Sequence, residues 1–317
     1  MRNFLMNKRI TVTGGKGFLG THLIKKFQEE RKYKNVFIAD LPEYDLRNTK
    51  NTKKMFDDQN PDIIIHLAAV VGGIGANKES PAKFFYENAI MGIQLMHEAY
   101  LRKIEKFVAI GTICAYPKYS PIPFKEENLW EGYPEETNAP YGLAKKMLLV
   151  QAQAYRQQYG FNAIYLLPVN LYGPGDKFDP KISHVIPALI KKFVDAIEKN
   201  DNHIVVWGTG NASREFLYVE DAAEAITLAT EKYNKPNPIN IGSGMEIKIK
   251  ELVELIARLT GFKGKVVWDS SKPDGQPRRR LDTSKAEKEF GFRAKTDFEK
   301  GLQRTIEYYK KLRRSKG

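Results

Sequence analysis

The chain has 317 residues, of which 42% are hydrophobic and 28% are charged, and its net charge is +13 at pH 7. No apolar run approaches the roughly 18 residues that span a bilayer, and residues 1–10 lack the features of a secretory signal, so we expect a cytoplasmic protein without a membrane partner. The basic residues are scattered, which argues against a nucleic-acid partner, and a single cysteine with histidines that lack paired spacing predicts no metal site.

Short apolar runs alternate with helical patterns over the first two thirds of the chain. Each run is separated from the next by enough residues for a crossover helix, which is typical of a parallel sheet with helices on both faces. The sequence therefore predicts an α/β fold with a doubly wound parallel (Rossmann) sheet. Its predicted strands are residues 9–13, 36–40, 63–68, 107–110 and 163–168.

A glycine-rich loop follows the first predicted strand and opens a helix. Its glycines are Gly14, Gly17 and Gly20, and Phe18 and Leu19 begin the helical pattern. Glycines at these positions allow a tight turn and let a pyrophosphate approach the helix N-terminus, where exposed N–H groups favour anions. Strand, glycine loop and helix in this order predict a dinucleotide cofactor.

Two features near the second predicted strand bear on which dinucleotide binds. Asp40 ends that strand about 20 residues after the glycine loop, where a carboxylate can accept hydrogen bonds from the adenosine ribose, and this favours NAD. Lys16 and Arg47 could instead pair with the 2′-phosphate of NADP, so both cofactors stay open. Asp45 and Leu46 are predicted either to contact the adenine edge or to form a solvated turn.

The end of the third predicted strand carries small side chains and then a flexible loop. Leu67, Ala68 and Ala69 would let the cofactor approach the sheet, although tight packing against a helix explains them equally well. The loop of residues 71–77 contains Gly73 and lies where open α/β folds bind ligands, so we expect it to face the substrate.

Four reactive side chains follow the fourth predicted strand. Thr112 and Cys114 come directly after it, and Tyr141 and Lys145 stand four residues apart, on one face of a helix. We expect the ammonium to lower the pKa of the phenol toward neutrality. A hydroxyl, a thiol, a phenol and an ammonium together are typical of acid/base chemistry beside a ketone. A buried, inert cysteine is the alternative for Cys114.

The sequence beyond Tyr172 is richer in loops. A helix is predicted at residues 184–199, a strand at 204–206, and long helices after the Pro/Gly cluster at 272–275. We expect a dinucleotide-binding domain of residues 1–172 with a return segment at about 215–242. Residues 173–214 and 243–317 are expected to form a smaller C-terminal α/β substrate-binding lobe.

The chain resembles the extended short-chain dehydrogenase/reductase family and, within it, the GDP-L-fucose synthases. The glycine loop and the YxxxK pattern are shared by the whole superfamily, whereas the VGGI loop, the Cys114 position and the SHVIPAL segment are more specific. The motifs are HLAAVVGGIGAN (66–77), GTICAYP (111–117), YGLAK (141–145), PVNLYGPGDKFDPKISHVIPAL (168–189), VWGTGNASREFLYVED (206–221) and KPDGQPRRRLD (272–282).

The resemblance implies two reactions on GDP-4-keto-6-deoxymannose. Cys114 and His184 would epimerise C3 and C5, although His184 could also simply precede a helix capped by Ser183 or Asp179. Thr112 and Tyr141 would hold the C4 oxygen while Lys145 binds the nicotinamide ribose. NADP is the expected cofactor, and a homodimer is expected through helices of residues 83–102 and 141–159.

Further residues are expected to bind the nucleotide sugar. Arg214 and Lys272 are candidate diphosphate partners, since arginine can grip phosphate oxygens through two donors. Asn170 could bond the sugar or stabilise a turn, and Trp207 could stack on guanine or fill the core of the lobe.

Two departures keep other functions open. Thr112 and Ile113 stand where the family usually has two serines, and Asp40 suits NAD better than the NADPH expected of the family. An NAD-dependent 4-epimerase or 4-dehydrogenase of another GDP-sugar, such as a GDP-heptose, is one alternative. A non-catalytic cofactor-binding sensor is another.

Overall fold

The computed structural model of the protein describes residues 5–180, 182–272 and 274–315. Within these ranges, none of the helices combines the length and the apolar character that a membrane crossing requires. The strands are β1 (Arg9–Thr13), β2 (Asn35–Ala39), β3 (Ile63–His66), β4 (Lys106–Ile110), β5 (Ala163–Pro168), β6 (Asn170–Tyr172), β7 (His203–Trp207), β8 (Ser213–Tyr218), β9 (Ile239–Ile241), β10 (Glu246–Lys248), β11 (Lys265–Asp269) and β12 (Arg278–Arg279).

The helices alternate with these strands and also follow the chain order. A π-helical turn, Lys26–Glu30, extends the first of them, and single 3-10 segments lie at Ile113–Ala115 and Glu126–Trp130. The helices are α1 (Phe18–Lys25), α2 (Thr49–Gln59), α3 (Ile74–Glu79), α4 (Pro81–Leu101), α5 (Ala139–Tyr159), α6 (Val185–Glu198), α7 (Val219–Lys232), α8 (Ile249–Thr260), α9 (Ser284–Phe290) and α10 (Phe298–Arg314).

The central sheet has six parallel strands in the order β2-β1-β3-β4-β5-β9. This confirms the predicted doubly wound α/β fold, and the predicted third strand ends at His66 rather than Ala68. The residues of β3 are buried along the whole strand, because a parallel sheet is covered on both faces. Since β1 pairs with β2 on one side and β3 on the other, the chain reverses its winding there, and a crevice for ligands opens at this point.

A smaller layer packs beside the central sheet. Strands β6, β8, β10 and β12 form one sheet, and β7 pairs with β11 in a two-stranded ribbon. The apolar faces of α6, α8 and α10 meet in a separate cluster that includes Phe193, Ile256 and Leu302. The helix predicted at 184–199 is α6, and the strand predicted at 204–206 is β7. In contrast, Phe290 of α9 packs against the core of the central sheet.

A buried lysine joins the central sheet to the end of α7. Lys106, the first residue of β4, is 1% exposed. Its ammonium donates to the carbonyl oxygens of Ala229, Thr230 and Tyr233 at 3.2, 2.5 and 2.7 Å. These carbonyls belong to the last turn of α7 and the residue after it, where helical N–H donors run out, although Ala229 also accepts a hydrogen bond from the Tyr233 N–H at 2.9 Å.

Lys106→Met is therefore expected to destabilise the fold. Because the buried carbonyls of Thr230 and Tyr233 lose their lysine donor, and that of Ala229 loses one of its two donors, the free energy of unfolding should fall by about 2–4 kcal/mol. Urea denaturation followed by circular dichroism measures this. The matched control is Lys288→Met on the exposed side of α9, which should change stability by less than about 0.5 kcal/mol. Equal losses in the two variants would contradict the role given to Lys106.

Candidate active site

The glycine loop lies across the end of the central sheet. Gly14 has a φ of +72°, and a Cβ there would lie 2.7 Å from the backbone nitrogen of Ala68. A Cβ at Gly20 would lie 2.1 Å from the carbonyl oxygen of Gly14, so α1 packs directly on the loop. Leu19 anchors this helix on the core of the central sheet. The loop thus occupies the crevice that the strand order creates.

A cleft of about 440 Å³ lies above the start of α1. Gly17 precedes the helix and offers no side-chain cap, so the first helical N–H groups are left to other acceptors. The backbone cradle and the positive end of the helix fit a dinucleotide pyrophosphate. Phe18 places its ring in the cleft wall. The lining residues are Lys16, Gly17, Phe18, Thr21, His22, Pro174, Gly175 and Tyr308.

The acidic residues after β2 have different environments. The Asp40 carboxylate accepts a hydrogen bond from the backbone N–H of Lys16 at 2.6 Å, and burial raises its pKa. Asp45 pairs with the Arg47 guanidinium at 2.8 Å, which lowers the pKa of Asp45. Arg47 also lies 3.2 Å from Glu87. Asp40 therefore faces the glycine loop, whereas the charge of Arg47 is already balanced by two carboxylates.

Three candidate cofactor contacts lie beside the core of the central sheet. The Leu46 side chain is only 3% exposed, and its carbonyl oxygen accepts hydrogen bonds from the side chains of Gln94 and Thr52. Leu67 and Ala68 pack partly against the same core, and the Ala68 N–H donates to Thr13 Oγ1 at 3.2 Å. Ala69 is half-buried. These small side chains let the end of β3 meet the glycine loop closely.

Four predicted catalytic residues come together after β4. A Cβ at Gly142 would lie 2.3 Å from the carbonyl oxygen of Cys114, so the first turn of α5 packs directly on the 3-10 segment. Thr112 accepts a hydrogen bond from the Cys114 N–H at 3.2 Å, and its hydroxyl is hydrogen-bonded to the Tyr141 phenol. Lys145 lies one turn farther along α5 and is buried.

The pKa values in this cluster follow burial rather than mutual attraction. Burial raises the pKa of Tyr141, the nearby Cys114 raises it further, and the hydrogen bond from Thr112 opposes the shift. The expectation that Lys145 lowers the pKa of the phenol is therefore wrong. Burial also lowers the pKa of Lys145 to about 8. A phenol that stays protonated near neutrality is suited to donating a proton.

His184 lies near this cluster, because it interacts electrostatically with Arg279, whose guanidinium is 3.6 Å from the Cys114 sulfur. It directly precedes α6 at the capping position, and its side chain makes no capping hydrogen bond. A Cβ at Gly73 would lie 2.8 Å from the carbonyl oxygen of Ser183, which places the 71–77 loop against the His184 segment. The residue is exposed. Burial of its surroundings and the positive charges of Lys177 and Arg279 lower the pKa of His184.

The comparisons with known proteins fit this arrangement. The model of the NAD dependent epimerase/dehydratase family matches residues 10–242. The chain belongs to this family. It is 42% identical over 305 residues to a GDP-L-fucose synthase of Sinorhizobium fredii (strain NBRC 101917 / NGR234), and the match covers 96% of each protein.

Solved members with similar folds come from Campylobacter jejuni. A GDP-6-OMe-4-keto-L-xylo-heptose reductase has a TM-score of 0.91 at 29% identity, covering 98% of this chain and 99% of that one. A GDP-mannoheptose C4 reductase with NADP bound has a TM-score of 0.87 at 30% identity, covering 96% and 99%. The relatives of this member of the epimerase/dehydratase family are therefore named for two kinds of reaction, the synthesis of GDP-L-fucose and the reduction of GDP-heptoses.

The predicted substrate residues lie on the smaller layer. Trp207 is 61% exposed on β7, so the alternative that it fills the core of the lobe is wrong. The ammonium groups of Lys192 and Lys272 lie 5.9 and 5.6 Å from the centre of its ring. Arg214 donates to the carbonyl oxygen of Asp274 at 3.0 Å. An aromatic face with two cations beside it is suited to a nucleobase and its phosphates.

Asn170 has a partner within the fold. Its side-chain amide donates to the carbonyl oxygen of Glu215 at 3.1 Å, which ties β6 to β8. This contact supports the turn-stabilising alternative for Asn170. Its amide oxygen is an acceptor, so a hydrogen bond donated by a sugar hydroxyl is compatible with this contact.

One charged residue of the site was missed by the sequence reasoning. Arg279 is 7% exposed and lies 3.6 Å from the Cys114 sulfur through Nη1. It stands in the middle of three consecutive arginines, which look alike in the sequence. The alternation of side chains between the two faces of a strand could have singled it out, because neighbouring residues of β12 point to opposite faces. Arg279 pairs in register with Arg214. Among the described residues, no group of three His, Cys, Asp or Glu side chains could hold a metal ion.

Proposed function

We propose that the chain is a nucleotide-sugar epimerase/reductase that converts GDP-4-keto-6-deoxymannose to GDP-L-fucose. The observation that carries this proposal is that Cys114 lies in one cluster with Thr112, Tyr141 and Lys145, and that Arg279, which contacts Cys114, also interacts with His184. Thr112, Tyr141 and Lys145 alone would account for hydride chemistry at C4. The added thiol and imidazole provide the two proton-transferring groups that inversion at a carbon beside a ketone needs.

Epimerisation requires the removal of a proton on one face and its return on the other. Loss of the proton leaves an enolate, whose oxygen Thr112 and Tyr141 would stabilise through hydrogen bonds. Cys114 and His184 would exchange the protons. Because the pKa of His184 is lowered, its imidazolium form is a stronger acid than free imidazolium.

Reduction at C4 would use the same oxygen-binding groups. The nicotinamide supplies a hydride when the cofactor is bound. Tyr141 would give its proton to the C4 oxygen, and its raised pKa keeps the phenol protonated until that step. Lys145 would bind the nicotinamide ribose and hold a positive charge beside the phenol as it loses the proton.

An assay of cofactor oxidation tests this function. Purified protein incubated with GDP-4-keto-6-deoxymannose and NADPH or NADH should oxidise one equivalent of cofactor per sugar. Absence of oxidation with either cofactor would sink the reductase proposal. Reduction of GDP-4-keto-heptoses but not of the deoxymannose substrate would favour the alternative reaction named for the C. jejuni structures. A non-catalytic sensor would bind the cofactor and turn over neither sugar.

The proposed cofactor is NADP(H) or NAD(H), and Asp40 sets the preference between them. NADP is bound in a solved relative. The Asp40 carboxylate, however, is fixed beside the glycine loop. There it can accept hydrogen bonds from the ribose hydroxyls and would repel a 2′-phosphate. NADP binding would therefore depend on compensation of this charge by Lys16.

Asp40→Asn is expected to shift the cofactor preference toward NADPH. Two charges about 4 Å apart near a protein surface interact by about 1–4 kcal/mol, so the ratio of kcat/KM for NADPH to that for NADH should rise about tenfold or more. Steady-state kinetics with both cofactors measure the ratio. Asp57→Asn, on the exposed side of α2, is the control and should leave it unchanged. An unchanged ratio in Asp40→Asn would place the 2′-phosphate away from this carboxylate.

We also propose a homodimer formed through α4 and α5. Both helices carry large apolar side chains on the outside of the chain, and burial of such a face would be favourable. These side chains are Phe85, Tyr86, Leu101, Met147, Val150 and Tyr159. We further propose that residues 1–172 with 215–242 form the dinucleotide-binding domain, and that residues 173–214 with 243–317 form the substrate-binding lobe. The proposed enzyme is cytoplasmic and acts on a GDP-linked sugar.

A further inference from the structure

The Cys114 sulfur has a buried guanidinium as its neighbour. Arg279 Nη1 lies 3.6 Å from the sulfur, a hydrogen-bonding distance for this larger atom. Arg279 Nε donates to Gln276 Oε1 at 2.8 Å, and Gln276 itself donates to the carbonyl oxygen of Lys118 at 2.7 Å. The planar guanidinium is therefore held from one side by a neutral amide and presents another N–H group to the sulfur.

The charge around the sulfur is positive. Arg214 lies close enough to interact electrostatically with both Cys114 and Arg279. Two carboxylates oppose these cations, Asp274 and Glu135, both of which interact with Arg214. The Glu135 carboxylate also interacts with Arg279 but is already engaged by the Thr137 hydroxyl at 2.6 Å and by the side chain of Asn138. A thiolate accepts hydrogen bonds and balances nearby cations, whereas a thiol does neither well.

We propose that Arg279 is a positioning residue that favours the thiolate form of Cys114 and aims the sulfur at the substrate carbon. This inference rests on the proposed function, in which Cys114 exchanges protons with the sugar. The thiolate would take the proton from the carbon beside the ketone, forming S–H, and the C–H electron pair would pass to the enolate oxygen. Delivery of a proton to the opposite face by His184 would restore the ketone with inverted configuration.

A competing role for Arg279 is binding of the substrate diphosphate. In that case the guanidinium would act on substrate affinity and not on the thiol. The two roles give different measurements, because a phosphate ligand changes KM, whereas a thiolate partner changes the reactivity of sulfur in the free protein.

The chain is well suited to a direct measurement of sulfur reactivity. Cys114 is its single cysteine, so the rate of alkylation by iodoacetamide reports on this thiol alone. Intact-protein mass spectrometry at pH 7 gives the rate without any substrate. Arg279→Gln is expected to slow alkylation about tenfold, because the thiolate rather than the thiol reacts. Arg279→Lys, which keeps the charge, should restore part of the rate.

Two further measurements separate the contact from folding and from the proposed reaction. Arg278→Gln is the matched control, because Arg278 lies on the other face of β12 and pairs with Glu246 at 2.6 Å. In this variant, Cys114 should be alkylated at the same rate as in the unaltered protein. Deuterium exchange into the sugar from D₂O should fall about 10–100-fold in kcat for Arg279→Gln, with KM nearly unchanged. Circular dichroism checks that each variant folds.

The outcomes distinguish the inference from the function on which it rests. Equal alkylation rates for Arg279→Gln and the unaltered protein, or a change confined to KM, would overturn the role of Arg279. Slower alkylation in Arg279→Gln together with full exchange activity in Cys114→Ser would overturn the proposed catalytic role of Cys114 while supporting its contact with Arg279. Slower alkylation and lower exchange in Arg279→Gln, with partial rescue in Arg279→Lys, would support both the role of Arg279 and the catalytic role of Cys114.

Discussion

Tyr141→Phe is expected to lower kcat for the reduction of the keto sugar by about 10²–10⁴-fold, the usual contribution of a positioned general acid. The phenol is hydrogen-bonded to Thr112, and its raised pKa keeps the proton available for the C4 oxygen. Phenylalanine preserves the ring and its edge contact with Phe84, at 6.4 Å between ring centres, but has no proton to give. Stopped-flow measurement of cofactor oxidation at saturating substrate measures the loss.

Tyr159→Phe supplies the matched control for this variant. Tyr159 lies at the far end of the same helix and is 45% exposed, so removal of its hydroxyl should leave the rate within about twofold. Binding of the cofactor should be retained in both variants, because neither change touches the glycine loop. If Tyr141→Phe keeps more than about a tenth of the rate, another group protonates the C4 oxygen.

Cys114→Ser and His184→Gln are expected to suppress epimerisation, each by about 10²–10⁴-fold. A serine hydroxyl is far less acidic than a thiol, and glutamine has no titrating group. Cofactor binding should persist, since Cys114 and His184 lie outside the glycine loop and the cleft above α1. Deuterium exchange at C3 and C5 of the substrate in D₂O, followed by NMR without reduced cofactor, measures the proton-transfer step separately from reduction.

A histidine outside the site completes this experiment. His203 is exposed at the start of β7 and is hydrogen-bonded to Asn202 at 2.9 Å. The variant His203→Gln should therefore catalyse deuterium exchange into the substrate at the same rate as the unaltered protein. Loss of exchange in Cys114→Ser alone would assign both proton transfers to the thiol. Full exchange in both site variants would remove the epimerase part of the proposal and leave a C4 reductase.

Much of the fold was predictable because its physical causes are local. The strand β3 is buried along its full length, and such strands appear in the sequence as continuous apolar runs. Gly14 must adopt a positive φ and lie against Ala68, which restricts the position to glycine. Tyr141 and Lys145 share a helix face because their spacing fits one helical turn.

Features that depend on tertiary packing were not predictable in the same way. Arg279 meets Cys114 across 165 positions of sequence, through strand pairing that brings β12 beside β8. The sign of the pKa shift at Tyr141 depends on how deeply α5 buries the ring, because burial is the largest cause of the shift. The exposure of Trp207 follows from its place on a two-stranded ribbon, one face of which lies outside the apolar cluster.

The measurement that tests the central claim most directly is NMR analysis of the product formed in D₂O. GDP-4-keto-6-deoxymannose is supplied with the reduced cofactor and the unaltered protein. An epimerase/reductase should give a product with deuterium at both C3 and C5, inverted configuration at both carbons and one equivalent of oxidised cofactor. Reduction at C4 without deuterium at either carbon would contradict the account and assign the chain to the C4 reductases.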